Sequence, residues 1–303
     1  MSMNNYKPFV EVKLNHDQLL ERTLIPRPRT TLFRGVIDSR YSLIPFALRD
    51  NGKIELKKLT NEFLKHESTF SIADSAEMDS IFYEIASLIW FYEIANKQGI
   101  SIPYVPHEYH GDAFKEVTNL VSLHKGSWMN ELWFETAALA QHYGIPTRLL
   151  DWTYDMNVAI YFAIGLSEEM MRANPNGYFA IWELDKAKAS MISNHIRFVV
   201  PKYSDNPNIR AQKGILSVVV GNNEYEGIPL EDVVVKEFEK QTEGLKEIIG
   251  RDEIPILTKL IVPYSALSII RSNFESRGLQ YDKYFPGLEG IVKSMKTAAG
   301  IKE

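Results

Sequence analysis

Apolar residues are spaced differently in the two halves of the chain, and this difference constrains the fold more than any other sequence feature. In the first half they recur at helical intervals, most clearly over residues 81–92. In the second half they form short runs rich in β-branched and aromatic residues, which predict strands over 177–183, 214–220 and 258–263. We therefore expect an α+β protein in which a helix-rich first half packs on a mostly antiparallel sheet.

Capping and stop signals indicate where the other elements lie. Gly99 and Gly144 are typical helix ends, and Pro146 follows the second of them. One short strand is predicted over 32–36, and helices are predicted over 52–70, 74–99, 130–140, 158–166, 236–247, 265–277 and 288–298. No repeat or long polar linker divides the chain. Residues 1–28, which include three prolines, are therefore interpreted as an N-terminal lead-in, and residues 29–303 as one domain.

Composition excludes several classes of protein. The 303 residues include no cysteine, which excludes thiol catalysis, thiolate metal sites and disulfides. The net charge is -5, so we do not expect nucleic acid as a partner. Every long apolar stretch is interrupted by charged residues, so we expect a cytoplasmic protein without a membrane partner. Walker, G-x-S-x-G and G-x-G-x-x-G motifs are absent, which removes support for those nucleotide-binding and hydrolase classes.

The segment 139–153 has the highest density of side chains capable of chemistry. These side chains are Gln141, His142, Tyr143, Arg148, Asp151 and Trp152. Buried charges are tolerated when they are paired, so we expect a buried ion pair between Arg148 and Asp151, which are three residues apart. In a structural interpretation this pair fixes the crossing of two helices, and replacing Asp151 with alanine costs about 3–5 kcal/mol. In a functional interpretation it braces a pocket that His142 and Tyr143 face.

Several motifs are spread over most of the chain. They are Phe33-Arg34-Gly35, 41–45 with Arg49, 139–153, 159–163, 208–214 and 284–290. The longest contains Ala-Gln-His-Tyr-Gly-Ile-Pro-Thr-Arg-Leu-Leu-Asp-Trp-Thr, a string that is hard to obtain by chance. Together these motifs resemble the FRG domain family of bacterial and phage proteins, which is named for an (F/Y)-R-G motif. The resemblance does not supply a reaction.

The order of three motifs also resembles that of ADP-ribosyltransferases. These are Arg34-Gly35 at the first core strand, the aromatic-bearing middle motif, and Gln212-x-Gly214 before a later strand. The resemblance implies that Arg34 binds an NAD phosphate through its planar guanidinium, and that Gly35 lets the backbone approach the nicotinamide amide. It also implies that Tyr143 stacks on the nicotinamide ring. Such enzymes place a glutamate near Gln212 to stabilise an oxocarbenium-like ribose, and an amide cannot supply that negative charge.

Two hypotheses follow from these residues. In the first, the protein binds an anionic, nucleotide-like small molecule such as NAD and acts as an ADP-ribosyltransferase-like or NAD-cleaving enzyme. Its candidate catalytic residues are Arg34, Tyr143 and Gln212, and its candidate cofactor-binding residues are Phe33, Gly35, Tyr41, Gln141 and His142. We expect the catalytic residues to converge on one concavity with Gln141 or His142. In the second hypothesis these residues are structural, and the protein is a non-catalytic interaction module of a prophage or defence system with a protein partner.

A small histidine cluster has spacing that a metal site could use. His107 and His110 are three residues apart, and His124 follows. The cluster lies in a proline-containing segment and lacks the H-E-x-x-H spacing of a zinc helix. We therefore expect no metal cofactor.

Overall fold

The computed structural model describes residues 6–66, 80–103, 117, 133–165, 167–202, 206–221 and 223–299. Within this part of the chain, the centre of the fold is a seven-stranded mixed sheet. Its strands are β1 (Phe9–Lys13), β2 (Thr31–Val36), β3 (Leu150–Thr153), β4 (Tyr178–Asp185), β5 (Ile196–Val199), β6 (Gly214–Val219) and β7 (Leu257–Pro263). They are arranged in the order β1-β7-β4-β2-β3-β6-β5. The β1 and β7 strands are parallel, and the other neighbouring pairs are antiparallel.

Thirteen α-helices surround the sheet in the described part of the chain. The four that precede β3 are α1 (His16–Arg22), α2 (Asp50–His66), α3 (Ser80–Lys97) and α4 (Phe134–His142). The others are α5 (Met156–Gly165), α6 (Ser167–Ala173), α7 (Lys186–Ile192), α8 (Pro207–Ala211), α9 (Leu230–Glu239), α10 (Glu243–Gly250), α11 (Leu267–Ser276), α12 (Tyr281–Tyr284) and α13 (Leu288–Ala298). Short 3-10 segments cover Phe46–Leu48, Asn223–Tyr225 and Tyr264–Ala266.

Helices cover both faces of the sheet. On one face, α7, α9 and α10 pack against a core that includes Trp182 and Ile215. On the other face, α2, α3 and α4 pack over Leu216 and the end of the sheet formed by β5 and β6. A separate group on this second face, made of α1, α5 and α11, packs over Phe33 and the strands β2, β4 and β7. Because side chains alternate along a strand, Ile215 and Leu216 belong to opposite faces. Phe33 pairs with Thr153, and Asp151, two residues before Thr153, pairs with Leu216, so Phe33 and Leu216 lie on the same face and the two helix groups of that face meet above β2 and β3.

The segment 1–28, expected to be a lead-in, contributes an element to the sheet and another to the core. Strand β1 forms the edge strand beside β7. Helix α1 begins at a capping box, in which the Asn15 side chain accepts a hydrogen bond from the backbone of Gln18 and the Gln18 side chain returns one to the backbone of Asn15. Leu19 of this helix is completely buried. The described part of the segment is thus packed onto the sheet.

Helices are not concentrated in the first half of the chain as expected, because the structure also has helices between the later strands. Helix α7 is too short to show a clear 3.6-residue period, and it is started by Asp185, whose side chain accepts hydrogen bonds from the amides of Ala187 and Lys188. The charged run 236–247, expected to be one helix, is divided between α9 and α10, since α9 ends at the C-cap residue Lys240. Among the described helices, none has the length and apolar character that crossing a bilayer requires.

Candidate functional site

A cavity of about 440 Å³ lies between the two helix groups on the second face of the sheet. Helices α4 and α5 border it, strands β2, β3 and β6 line it from below, and residues next to α8 and α12 close one end. Its polar and charged lining residues are Arg34, Gln141, His142, Asp151, Thr153 and Gln212. Its volume and its mixture of apolar surface with a few polar groups are those of a small-molecule site.

The cavity lies where β2 and β3 separate. These strands are paired at one position, Phe33 opposite Thr153, whereas β2 pairs with β4 along its whole length. Beyond that pair, Nη1 of Arg34 donates a hydrogen bond of 2.7 Å to the main-chain carbonyl oxygen of Asp151. In a continuous ladder this carbonyl oxygen would accept a hydrogen bond from the backbone of the neighbouring strand, and here the guanidinium donates to it instead. The separation of the strands leaves room for a ligand between them.

Asp151 supplies a carboxylate to the cavity. Its Oδ1 accepts a hydrogen bond of 2.7 Å from Nε2 of Gln141, and its Oδ2 lies 3.5 Å from Nη1 of Arg34. The Asp151 side chain is 68% exposed and that of Arg34 is 18% exposed. Among the described lining residues, Asp151 is the single carboxylate. The sequence analysis placed Asp151 in an ion pair that braces a pocket, and did not include it among the candidate site residues, although the alternation of apolar Leu150 and Trp152 with Asp151 is the pattern of a half-buried strand.

The predicted ion pair between Arg148 and Asp151 is wrong. Arg148 is buried, and its Nε and Nη2 donate hydrogen bonds of 2.9 and 2.6 Å to Oε1 of Glu84 on α3. Asp151 lies within β3 and points away from the side of Leu150, whereas Arg148 precedes the strand and points into the core beside α3. The buried pair therefore joins α3 to the start of β3, and the Asp151 carboxylate is left in the cavity.

Gln212 lines the cavity and is held from both its backbone and its side chain. It follows α8, where its main-chain carbonyl oxygen accepts a hydrogen bond of 2.6 Å from the hydroxyl of Thr153. Its side-chain Nε2 donates one of 3.2 Å to the carbonyl oxygen of Tyr284. The next residue after Tyr284 is Phe285, which also lines the cavity. Gln212 thus connects α8, β3 and α12 at one end of the site.

Gly35 lines the cavity, but its lack of a side chain has a structural cause. A Cβ atom at this position would lie 1.9 Å from the carbonyl oxygen of Ala159 and 2.9 Å from the amide nitrogen of Ala163. The backbone of α5 therefore packs directly against β2, and a glycine is needed for that contact. The neighbouring Phe33 is 2% exposed and packs in the same core as α5.

The expected convergence fails for Tyr143. Its side chain is 71% exposed and borders a separate groove with Glu135 and Leu139. These three residues recur at intervals of four along and just after α4, while a different face of that helix carries the cavity residues. The cavity residues of α4 are Ala138, Gln141 and His142. The predicted stacking of Tyr143 on a ligand ring has no support from this position.

His142 and Tyr41 complete the set of predicted site residues. Desolvation lowers the pKa of the His142 imidazole below its usual range, and the nearby charge of Asp151 opposes the shift. At neutral pH His142 is therefore a neutral ring that offers one donor and one acceptor. Tyr41 is 42% exposed and is not among the residues that line the cavity. The histidine cluster of His107, His110 and His124 lies outside the described residues.

Comparison with known proteins finds a match between part of the chain and one family model. A model of the FRG domain matches residues 96–171. This interval includes α4, β3 and α5, and with them Gln141, His142 and Asp151, whereas Arg34 and Gln212 lie outside it. The match supports the resemblance to the FRG domain family. No curated protein and no solved structure matches the chain.

Proposed function

We propose that the cavity between α4 and α5 binds a nucleotide-like small molecule of the NAD type, and that the protein is an NAD-cleaving or ADP-ribosyltransferase-like enzyme. The observation that carries this proposal is the convergence of Arg34, Gln141, Asp151 and Gln212 on one cavity, although they come from four separate elements. A guanidinium, a carboxylate and two amides are thereby collected between apolar helices. Such a set of convergent polar groups is typical of a ligand site.

The charges of the cavity favour a polar but uncharged part of the ligand beside Arg34. Its positive charge is balanced by the Asp151 carboxylate, and its Nη1 is already bonded to the Asp151 carbonyl. Ribose hydroxyls and a carboxamide can hydrogen-bond to the carboxylate and to the amides of Gln141 and Gln212. The rings of Phe162 and Phe285, whose centroids are 6.0 Å apart, offer apolar surface to a base or a nicotinamide ring. In this proposal Arg34 orients Asp151 rather than binding a phosphate.

Asp151 is proposed to act in the step that breaks the bond between the ribose C1′ and the nicotinamide nitrogen. The bonding electrons leave with nicotinamide, and positive charge develops on the ribose. A carboxylate held close to that charge lowers the barrier by electrostatic stabilisation. Water then attacks C1′ and yields ADP-ribose and a proton, or a nucleophile on an acceptor takes the place of water. Asp151 would supply the negative charge that Gln212 cannot.

The alternative function, a non-catalytic interaction module, is favoured by a different observation. The guanidinium of Arg34 is largely buried and is bonded within the protein, as expected for a structural residue. In that case the cavity would bind no nucleotide. The FRG resemblance would then point to a partner protein in a bacterium or phage.

Calorimetry with NAD and ADP-ribose, combined with an assay of nicotinamide release, tests the proposal. Wild type should bind ADP-ribose and NAD, and binding should raise its melting temperature. Arg34→Ala should weaken binding about tenfold or more, because it removes the charge-assisted hydrogen bond to the main-chain carbonyl oxygen of Asp151 that holds β3 beside β2 at the cavity, which Asp151→Asn leaves in place. Asp151→Asn should retain ADP-ribose binding and lose nicotinamide release by about 100-fold or more.

Tyr143→Ala is the control variant, since the Tyr143 ring lies outside the cavity, and it should behave as wild type. If NAD, ADP-ribose and simple nucleotides all fail to bind wild type at millimolar concentration, the enzyme proposal is wrong and the interaction-module alternative takes its place.

A further inference from the structure

A second depression lies beside the cavity, at the end of the sheet where β2 begins and β3 ends. Its volume is about 690 Å³, and it is bordered by the connection from α1 to β2 and by the residues that join β3 to α5. Phe33 lines both this depression and the cavity. We call it the basic groove. Its charged lining residues are Arg22, Arg27, Arg29, Asp155 and Lys213.

Two guanidinium groups of the basic groove share one carboxylate. Nη1 of Arg22 lies 3.0 Å from Oε2 of Glu183, and Nη2 of Arg27 lies 3.3 Å from Oε1 of the same residue. Glu183 is 12% exposed, so this carboxylate is largely removed from water and compensates one of the two charges. Nε of Arg27 is buried and has no hydrogen-bond partner among the described residues. Arg22 and Arg27 therefore carry, between them, one positive charge that Glu183 does not compensate.

The other two cations of the basic groove are open to solvent. Arg29 is exposed, and no carboxylate pairs with it in the described part of the chain. Nζ of Lys213 lies 2.9 Å from Oδ2 of Asp155, and the Lys213 side chain is 59% exposed. Four cationic side chains therefore meet two carboxylates, which leaves an excess of two positive charges. This positive excess is confined to the groove, since the chain as a whole is negative, with a net charge of -5.

We propose that the basic groove binds the phosphate groups of a small anionic ligand, at a site separate from the cavity. Guanidinium forks match the geometry of phosphate oxygens, and three of the four cations are arginines. The volume of the groove accommodates a short phosphate chain. None of its four cations lines the cavity, so the site does not depend on the function proposed above.

Titration calorimetry with inorganic tripolyphosphate tests this site, since the probe carries phosphates without a base or a sugar. Wild type should bind it saturably, and binding should weaken as salt is added. Arg29→Glu should weaken binding about tenfold or more, because it replaces a phosphate donor with a repelling charge. Asp155→Asn should tighten binding, since it removes a competing carboxylate from Lys213. The amide oxygen of asparagine can still accept the hydrogen bond that the Asn157 amide donates to Asp155.

Lys65→Glu is the matched control for the charge change. Lys65 lies on α2, is 72% exposed and does not border the groove, and its substitution alters the net charge by the same amount as Arg29→Glu. Lys65→Glu should change affinity less than about twofold, as expected for a distant charge screened by salt. Circular dichroism confirms that each variant is folded.

The outcomes for the groove and the cavity are separable. Arg34→Ala should bind tripolyphosphate as wild type does, whatever its effect on NAD. The basic-groove proposal is wrong if tripolyphosphate does not bind wild type at millimolar concentration. It is also wrong if Arg29→Glu and Lys65→Glu weaken binding equally, because the effect would then come from net charge alone.

Discussion

The stabilising effect of a charged side chain in this protein depends on whether it is buried with its partner. Arg148 is 6% exposed and Glu84 is 1% exposed, and the two are hydrogen-bonded. Replacing Arg148 with methionine leaves the Glu84 carboxylate buried without its cation. We expect the free energy of unfolding to fall by about 3–5 kcal/mol, as measured by urea denaturation.

Asp151→Ala provides the comparison for this variant. Its carboxylate is mostly exposed and interacts with Arg34 and Gln141 at the edge of the cavity. We expect its loss to lower the free energy of unfolding by less than about 1 kcal/mol, because exposed ion pairs contribute little. Equal losses in Arg148→Met and Asp151→Ala would contradict the assignment of Glu84 as the partner of Arg148.

The packing of α5 on β2 sets the position of two elements that line the cavity. The backbone of Ala159 is so close to Gly35 that a Cβ atom there would overlap its carbonyl oxygen. Gly35→Ala should therefore force α5 away from β2 and lower the free energy of unfolding by about 1–3 kcal/mol or more. Because α5 also lines the cavity, the same shift should disturb ligand binding. Thermal and urea denaturation measure the first effect, and calorimetry measures the second.

Gly244→Ala is the matched control for that substitution. It lies on α10, and an added Cβ would meet no atom within 4 Å. Alanine is favoured over glycine within a helix, so stability should be unchanged or rise by up to about 1 kcal/mol. A Gly35→Ala variant as stable as Gly244→Ala would show that α5 can move away from β2 without cost.

Across the domain, the N-terminal segment behaves as part of the folded unit. Leu19 is completely buried in the core beneath α5 and α11, whereas Leu24, five residues later, is 74% exposed. Leu19→Ala should lower the free energy of unfolding by about 2–5 kcal/mol, because it leaves a cavity in that core. The unfolding transition should remain single and cooperative, since α1 shares its core with the central strands.

Leu24→Ala removes the same atoms from an exposed position. Its free energy of unfolding should stay within about 0.5 kcal/mol of wild type. If Leu19→Ala is equally harmless, or if it produces a separate early transition, the segment is an appendage and not part of the core.

Short-range patterns were sufficient for most of the predicted elements. Strands β2, β4, β6 and β7 lie where runs of β-branched and aromatic residues indicated them, and α3, α11 and α13 lie close to their predicted ranges. Periodicity and capping are properties of a few neighbouring residues, so one segment of sequence contains them. Strands β1, β3 and β5 were missed, because alternation over only four or five residues is too brief to distinguish a strand from other structure. Six of the eight predicted site residues line the cavity, and they are Phe33, Arg34, Gly35, Gln141, His142 and Gln212.

The partners of these residues depended on tertiary packing. Arg148 pairs with Glu84 rather than with Asp151, because α3 packs beside the start of β3 and brings a buried carboxylate to it. Gly35 is a glycine because α5 crosses β2 at that point. Tyr143 points away from the cavity because of its place on the helical turn relative to β3, and Asp151 lies in the cavity because β2 and β3 separate there. Each of these outcomes depends on how segments that are distant in sequence pack against one another. Residue types along the chain determine which local elements form, and the packing of those elements determines which polar groups meet.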